Sequence, residues 1–221
     1  MTKPNRTPMG SIGTCLAVAF GLILASTFSS ATTITFGGTA FGPSGASSTV
    51  AGALVEDFEN GLPANYTFSV GNTSGGIFQG SVPLVASPPA NDTSHFATSG
   101  VGSLTISYAT PIRYFGLLWG TVDAYNSITF RSGASSQTWT GSTILSAPAF
   151  AGVNGSAYVN FFATPGTTWD KITLSSSKAN FEFDNAAISI VPEPAALGLI
   201  GLGFGLAGLG VFKRKKSRSS R

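Results

Sequence analysis

Between residues 32 and 190 apolar and polar residues alternate in short runs, separated by clusters of Gly, Ser, Asn and Pro. The period of two is explicit in Leu104-Thr105-Ile106-Ser107-Tyr108, and it recurs at Ile128 and Phe130 and at Ile172 and Leu174. Successive side chains of an extended chain point to opposite faces, so such runs bury one face and wet the other. Strands are accordingly predicted over residues 32–36, 66–70, 104–108, 112–118, 127–131, 157–162, 171–174, 181–183 and 187–190. The run from Tyr114 to Phe130 reads as a buried strand, a turn and a second strand. No stretch of this region sustains a helical period. Many short strands joined by turn residues predict a mainly β domain over residues 32–190, a single β-sandwich of jelly-roll-like form.

The two ends follow other patterns. Lys3 and Arg6 precede an apolar stretch from Ile12 to Leu24, and Ser29-Ser30-Ala31 supplies small residues before a cut. This three-part plan predicts that residues 1–31 are a secretory signal peptide, delivered to the translocon and removed by signal peptidase. Cys15 lies inside the apolar stretch and is preceded by Ile12-Gly13-Thr14, a poor lipobox, so a lipoprotein anchor is not expected. At the other end residues 195–212 are an unbroken run of uncharged residues. As a helix, that run spans about 27 Å, enough for one crossing of a thin bilayer. Lys213, Arg214, Lys215 and Lys216 follow at once and act as a basic stop-transfer cluster, which places the β domain outside the cytoplasm. Gly198, Gly201, Gly205 and Gly208 fall on one face of that helix, suited to close helix packing.

Pro192-Glu193-Pro194 stands immediately before the apolar run. Its prolines hold the backbone extended and accessible. The order of these features (a Pro-Glu-Pro triplet, a Gly-rich apolar helix and a basic cluster) resembles the PEP-CTERM sorting signal. Residues 191–221 divide accordingly into the motif 192–194, the helix 195–212 and the tail 213–221. The resemblance implies that exosortase, a membrane-embedded cysteine protease, recognises Pro192, Glu193 and Pro194 and removes the tail. It also implies a Gram-negative host that makes extracellular polysaccharide. The run from Tyr114 to Phe130 and the closing Phe181-Glu182-Phe183-Asp184-Asn185 look similar to segments of PEP-CTERM surface proteins with one extracellular β domain, a group for which no enzymatic activity is implied. A plain single-pass anchor is the alternative reading of the tail.

Charge sharpens the division. The net charge of +3 arises at the ends: between residues 32 and 191 only Arg113, Arg131, Lys171 and Lys178 stand against Glu56, Asp57, Glu59, Asp92, Asp123, Asp170, Glu182 and Asp184, four basic minus eight acidic, or −4. A basic nucleic-acid footprint is absent from the domain, so nucleic acid is not expected as a partner. With Cys15 gone the mature chain has no thiol for a disulfide or a thiolate metal site. His95 is the one histidine and no G-x-S-x-G elbow accompanies it, so neither a Ser–His–Asp triad nor a zinc site is expected.

Two candidate sites remain. Asp57 and Glu59 lie near the first strands and Asp184 ends a late one. If first and last strands are neighbours, these three carboxylates with backbone carbonyls suit calcium, a hard cation that takes oxygen ligands; solvated carboxylates at strand ends are the alternative. Trp119 is followed by Asp123, Tyr125 and Asn126 in a predicted turn, an aromatic ring with polar neighbours of the kind that binds a sugar; core packing is the alternative for the tryptophan. The expectation is therefore an exported surface or matrix protein, processed by exosortase, with a non-enzymatic structural or adhesive β domain. The competing expectation is a carbohydrate-binding module for extracellular polysaccharide.

Overall fold

A computed structural model describes residues 32–147 and 155–190. The signal peptide expected at 1–31 and the sorting segment expected at 191–221, with its transmembrane helix, lie outside the described residues. The strands are β1 (Thr33–Phe36), β2 (Leu54–Glu56), β3 (Tyr66–Phe68), β4 (Gly76–Gln79), β5 (His95–Thr98), β6 (Gly102–Trp119), β7 (Asn126–Ser132), β8 (Ser135–Thr140), β9 (Ala157–Phe162), β10 (Trp169–Ser176) and β11 (Glu182–Ile190), with one short helix, α1 (Gly141–Leu145), after β8. The expected mainly β character is what the structure shows. All the strands join one antiparallel sheet of 11 strands.

The sheet curls because β6 serves two sets of neighbours. Its first half lies between β3 and β10, its second between β9 and β11. Ile112 stands at the changeover and pairs with both Trp169 of β10 and Ile190 of β11. One wing therefore runs β8-β7-β10-β6-β3, and the other runs β1-β9-β6-β11 before branching to β5-β4 and to β2. The sequence reading split β6 into two strands around Pro111. Proline has no N–H to give a ladder, and it sits just before Ile112, where partners change and its lack of a donor costs least.

The inner faces of the two wings meet in one core. Ile106, Ile128, Phe130, Ile172 and Leu174 from the first wing and Phe115, Leu117, Phe161 and Phe183 from the second are buried together. The Phe130 ring of β7 lies 4.9 Å from Phe161 of β9 and 6.1 Å from Phe115 of β6. Burying each such side chain stabilises the fold by roughly 1.5–3 kcal/mol. Each of these residues is an inward position of a predicted strand.

Several elements escaped the sequence reading. The strands β2, β4 and β5 are three or four residues long, too short to display a period. In β8 the sequence is Ser-Ser-Gln-Thr-Trp-Thr, with one large apolar residue, and the strand is fixed by its hairpin with β7. Gly133 opens the two-residue turn of that hairpin at φ +57°, the sign a type II′ turn requires at its first central position. α1 starts where Thr140 caps it by accepting the Thr143 N–H at 3.2 Å. Residues 181–190, predicted as two strands, form the single β11 after Phe181, with its pairing to β6 shifted between Asp184 and Ala187.

Candidate functional site

Trp119 ends β6 in the core. Its indole is fully buried and stacks on Phe181, with ring centroids 4.3 Å apart and planes at 16°. This corrects the sugar-platform reading: an aromatic ring binds a sugar only through an exposed face, and this one is packed on another ring. Trp169 is buried against Phe130. The turn residues form a closed local network instead. The Tyr125 hydroxyl donates to Asp123 Oδ2 at 2.8 Å, and Asn126, itself buried, donates from Nδ2 to the Thr121 carbonyl at 3.4 Å. Burial, then the bond to Asp123, pushes the Tyr125 hydroxyl up to about 12.

The three acids expected to share calcium are placed differently from that expectation. Glu59 is taken by His95: its Oε1 accepts the His95 backbone N–H and its Oε2 meets His95 Nδ1, each at 2.8 Å. The backbone and side-chain bonds to His95 hold the Glu59 carboxyl below its usual range. Exposed Asp57 accepts the Glu59 N–H at 3.2 Å in a local turn. Asp184 is fully buried, and its near partner is Asp92, which the sequence reading left unassigned. Among the described residues no cluster of three His, Cys, Asp or Glu residues is arranged to hold a metal ion, so the trio Asp57, Glu59 and Asp184 does not form the expected site.

The Asp92–Asp184 pair is unusual. Both residues are buried, at 4% and 0% exposure. Ser94 lies between them: its N–H donates to Asp92 Oδ1 at 2.9 Å, its hydroxyl reaches the same oxygen, and that hydroxyl is 3.5 Å from Asp184 Oδ2. Burial first, with Asp92 and more weakly Asp57 adding negative charge, pushes the Asp184 carboxyl up to about 9, against the pull of the Asn185 backbone. No local pattern links residues 92 positions apart, and only the strand pairing brings them together.

The outward face of the first wing carries the other concentration of chemistry. Strand register aligns Thr67 of β3, Thr105 of β6, Thr173 of β10, Thr129 of β7 and Thr138 of β8 in one row across five strands. A second row holds Ser103, Ser175, Ser127 and Thr140, and a third holds Ser107, Lys171, Arg131 and Ser136. Hydroxyls touch along the first row, at 3.1 Å between Thr105 and Thr173 and at 2.8 Å between Thr129 and Thr138. Lys171 and Arg131 stand directly opposite one another, a like-charge pairing that costs stability in a sheet. Among the described residues neither forms a salt bridge. The alternation of Ser and Thr with core residues was visible in sequence; the rows depend on register between segments far apart in the chain, as Ser103 and Ser175 are.

A family model for the PEP-CTERM protein-sorting motif matches residues 191–215. The match contains Pro192, Glu193 and Pro194 and the first three residues of the basic cluster, Lys213, Arg214 and Lys215, with Lys216 just beyond it. The chain is thus an exported protein that carries an exosortase-directed C-terminal sorting signal, held at the membrane through that signal and destined for the surface. No curated protein and no solved structure matches the chain.

Proposed function

We propose that this chain is a surface or extracellular-matrix protein, freed from a C-terminal membrane helix by exosortase, whose β domain is a structural or adhesive element without catalytic chemistry. The translocon and signal peptidase act first on residues 1–31, and exosortase acts afterwards at Pro192, Glu193 and Pro194. Two wings facing across one core support reading the domain as a β-sandwich of jelly-roll-like form.

One observation carries the adhesive reading: the five-strand threonine row and its flanking Ser, Lys and Arg rows on a single face. Regularly spaced hydroxyls donate and accept hydrogen bonds along an extended polar surface. An adhesive face of this kind gathers many weak contacts rather than one deep pocket. Lys171 and Arg131, neither of them in a salt bridge among the described residues, favour a second, narrower reading, in which the face is a carbohydrate-binding surface for an acidic extracellular polysaccharide. Sugar hydroxyls would then meet the Thr and Ser rows, and uronic carboxylates would meet the two cations. Trp119 has no part in it.

Replacing Pro192 and Pro194 by alanine in an exosortase-containing host tests the sorting half: the expected product keeps its tail and stays in the membrane fraction, and normal removal of the tail refutes it. Sedimentation with polysaccharide tests the other half. The mature protein is expected to bind a uronic-acid polymer in a salt-sensitive manner and to lose at least tenfold in affinity as Arg131→Glu/Lys171→Glu. Equal binding by wild type and variant removes this face from the account, and binding to no polymer leaves the structural reading alone.

A further inference from the structure

We propose that Asp92 and Asp184 form a divalent-cation site, calcium by the character of its donors, that locks the loop around residues 42–45 onto β11. The site is independent of what the hydroxyl face binds.

Two carboxylates buried side by side need compensation, since an ionised group taken out of water without a partner is strongly unfavourable. Here the protein supplies little. Asp92 Oδ2 and Asp184 Oδ1 are buried and have no hydrogen-bond partner. The Ser94 hydroxyl has a single proton to share between the two carboxylates. No Lys or Arg of the described residues forms a salt bridge with either acid, and His95 is held by Glu59.

The surroundings are oxygen-rich and held in shape. Asp184 sits at the irregular step of β11, where pairing to β6 shifts before Ala187 and Asn185 takes φ +49°. Asn91, just before Asp92, takes φ +62°. The loop that covers the pair is tied down at several points. Asn185 Nδ2 donates to the Ser44 carbonyl at 2.6 Å, and the Thr93 N–H and hydroxyl both donate to the Pro43 carbonyl, at 2.8 and 3.0 Å. Gly45 has φ +69°, and a Cβ there would meet the Leu118 side chain at 2.5 Å, Asn185 Nδ2 at 3.2 Å and Asp92 Oδ2 at 3.3 Å, so only glycine lets the loop pack this closely over the pair. Two carboxylates, a serine hydroxyl and nearby carbonyls are hard donors. Once an ion displaces the proton that burial favours on Asp184, the two carboxylates carry −2 and match one divalent ion, and calcium accepts irregular oxygen shells completed by water. Magnesium demands near-octahedral geometry that so irregular a set does not offer.

The test uses the mature protein stripped with chelator and returned to metal-free buffer. Calcium is expected to raise the melting temperature by about 5–10 °C at a hundredfold excess over its dissociation constant, and magnesium much less. Equilibrium dialysis with radioactive calcium is expected to give one ion per chain. Asp184→Asn and Asp92→Asn should abolish the calcium response, whereas Asp57→Asn, at the exposed surface, should keep it. Should calcium, magnesium and manganese all leave the wild-type melting temperature unchanged, the carboxyls share a proton and the proposal is overturned. Persistence of the full calcium response in folded Asp184→Asn places the ion elsewhere and overturns it equally.

Discussion

The two halves of β6 lie in one strand and solve different problems. From Gly102 to Tyr108 buried and wetter positions alternate, and from Ile112 to Trp119 every residue except Arg113 is buried. The first half has water on its outer side. The second is covered on that side as well, by the segment from Gly37 to Ser48. There Ala46, Leu118 and Tyr158 form a small core of their own. A buried hydrogen-bond chain accompanies it. The Tyr114 hydroxyl meets Ser48 Oγ and Asn160 Oδ1, each at 2.7 Å, and Asn160 Nδ2 donates to the Gly37 carbonyl at 2.8 Å. Gly116 is required in the same place, because a Cβ there would come within 2.9 Å of the Tyr158 ring. A strand with one wet face can spend its outer positions on hydroxyls for contact, and a strand enclosed on both faces must satisfy every polar group internally.

Mutation should separate the halves by size of effect. Phe115→Ala, in the enclosed half, is expected to cost roughly 3–5 kcal/mol in a denaturant titration, since it removes a ring from the centre of the core. Gly116→Ala should cost about 1–3 kcal/mol by forcing Tyr114 and Tyr158 from their places; a neutral result would show that the cover over this half is soft. Tyr114→Phe is expected to lose roughly 1–2 kcal/mol, because it strips two bonds from the buried chain. In the open half Thr129→Val with Thr138→Val, measured as a double-mutant cycle by thermal melts, should reveal a coupling of only about 0.2–1 kcal/mol. The smallest effect belongs to exposed Glu59. Its carboxyl pKa is lowered in the fold, so its stabilising effect is present above the ordinary carboxylate pKa and is lost as pH falls through the lowered value. Melting temperatures of wild type and Glu59→Gln should therefore differ slightly at neutral pH and converge in acid.

Sequence revealed the first half of β6 better than its surroundings for the same physical reason. Leu104 and Ile106, Ile128 and Phe130, and Ile172 and Leu174 alternate with polar residues because one side of their wing is wet, and a period of two survives in any such strand. The sorting signal was also legible, because its parts are adjacent in the chain. Information held between distant segments was not. Trp119 could not be distinguished from a surface aromatic until Phe181 was seen to arrive against it. The pairing of Asp92 with Asp184 depends on β11 lying beside β6 and β5. The continuity of β6 through Pro111 was hidden because a proline reads as a stop, whereas here it sits beside a change of partners.

The position of Ile190 has a mechanical consequence. It is the last residue of β11, it pairs with Ile112, and the sorting motif begins one or two residues later. Tension between a membrane-held tail and an adhering first wing would enter at Ile190 and cross the β11–β6 ladder before reaching β10 and β7. If that pull runs along β11, it loads the ladder in shear, with many hydrogen bonds resisting together, whereas a sideways pull would peel them one at a time. While the tail remains attached, the long shared strand would thus make any grip by the proposed adhesive face sensitive to the direction in which the cell and its neighbours part.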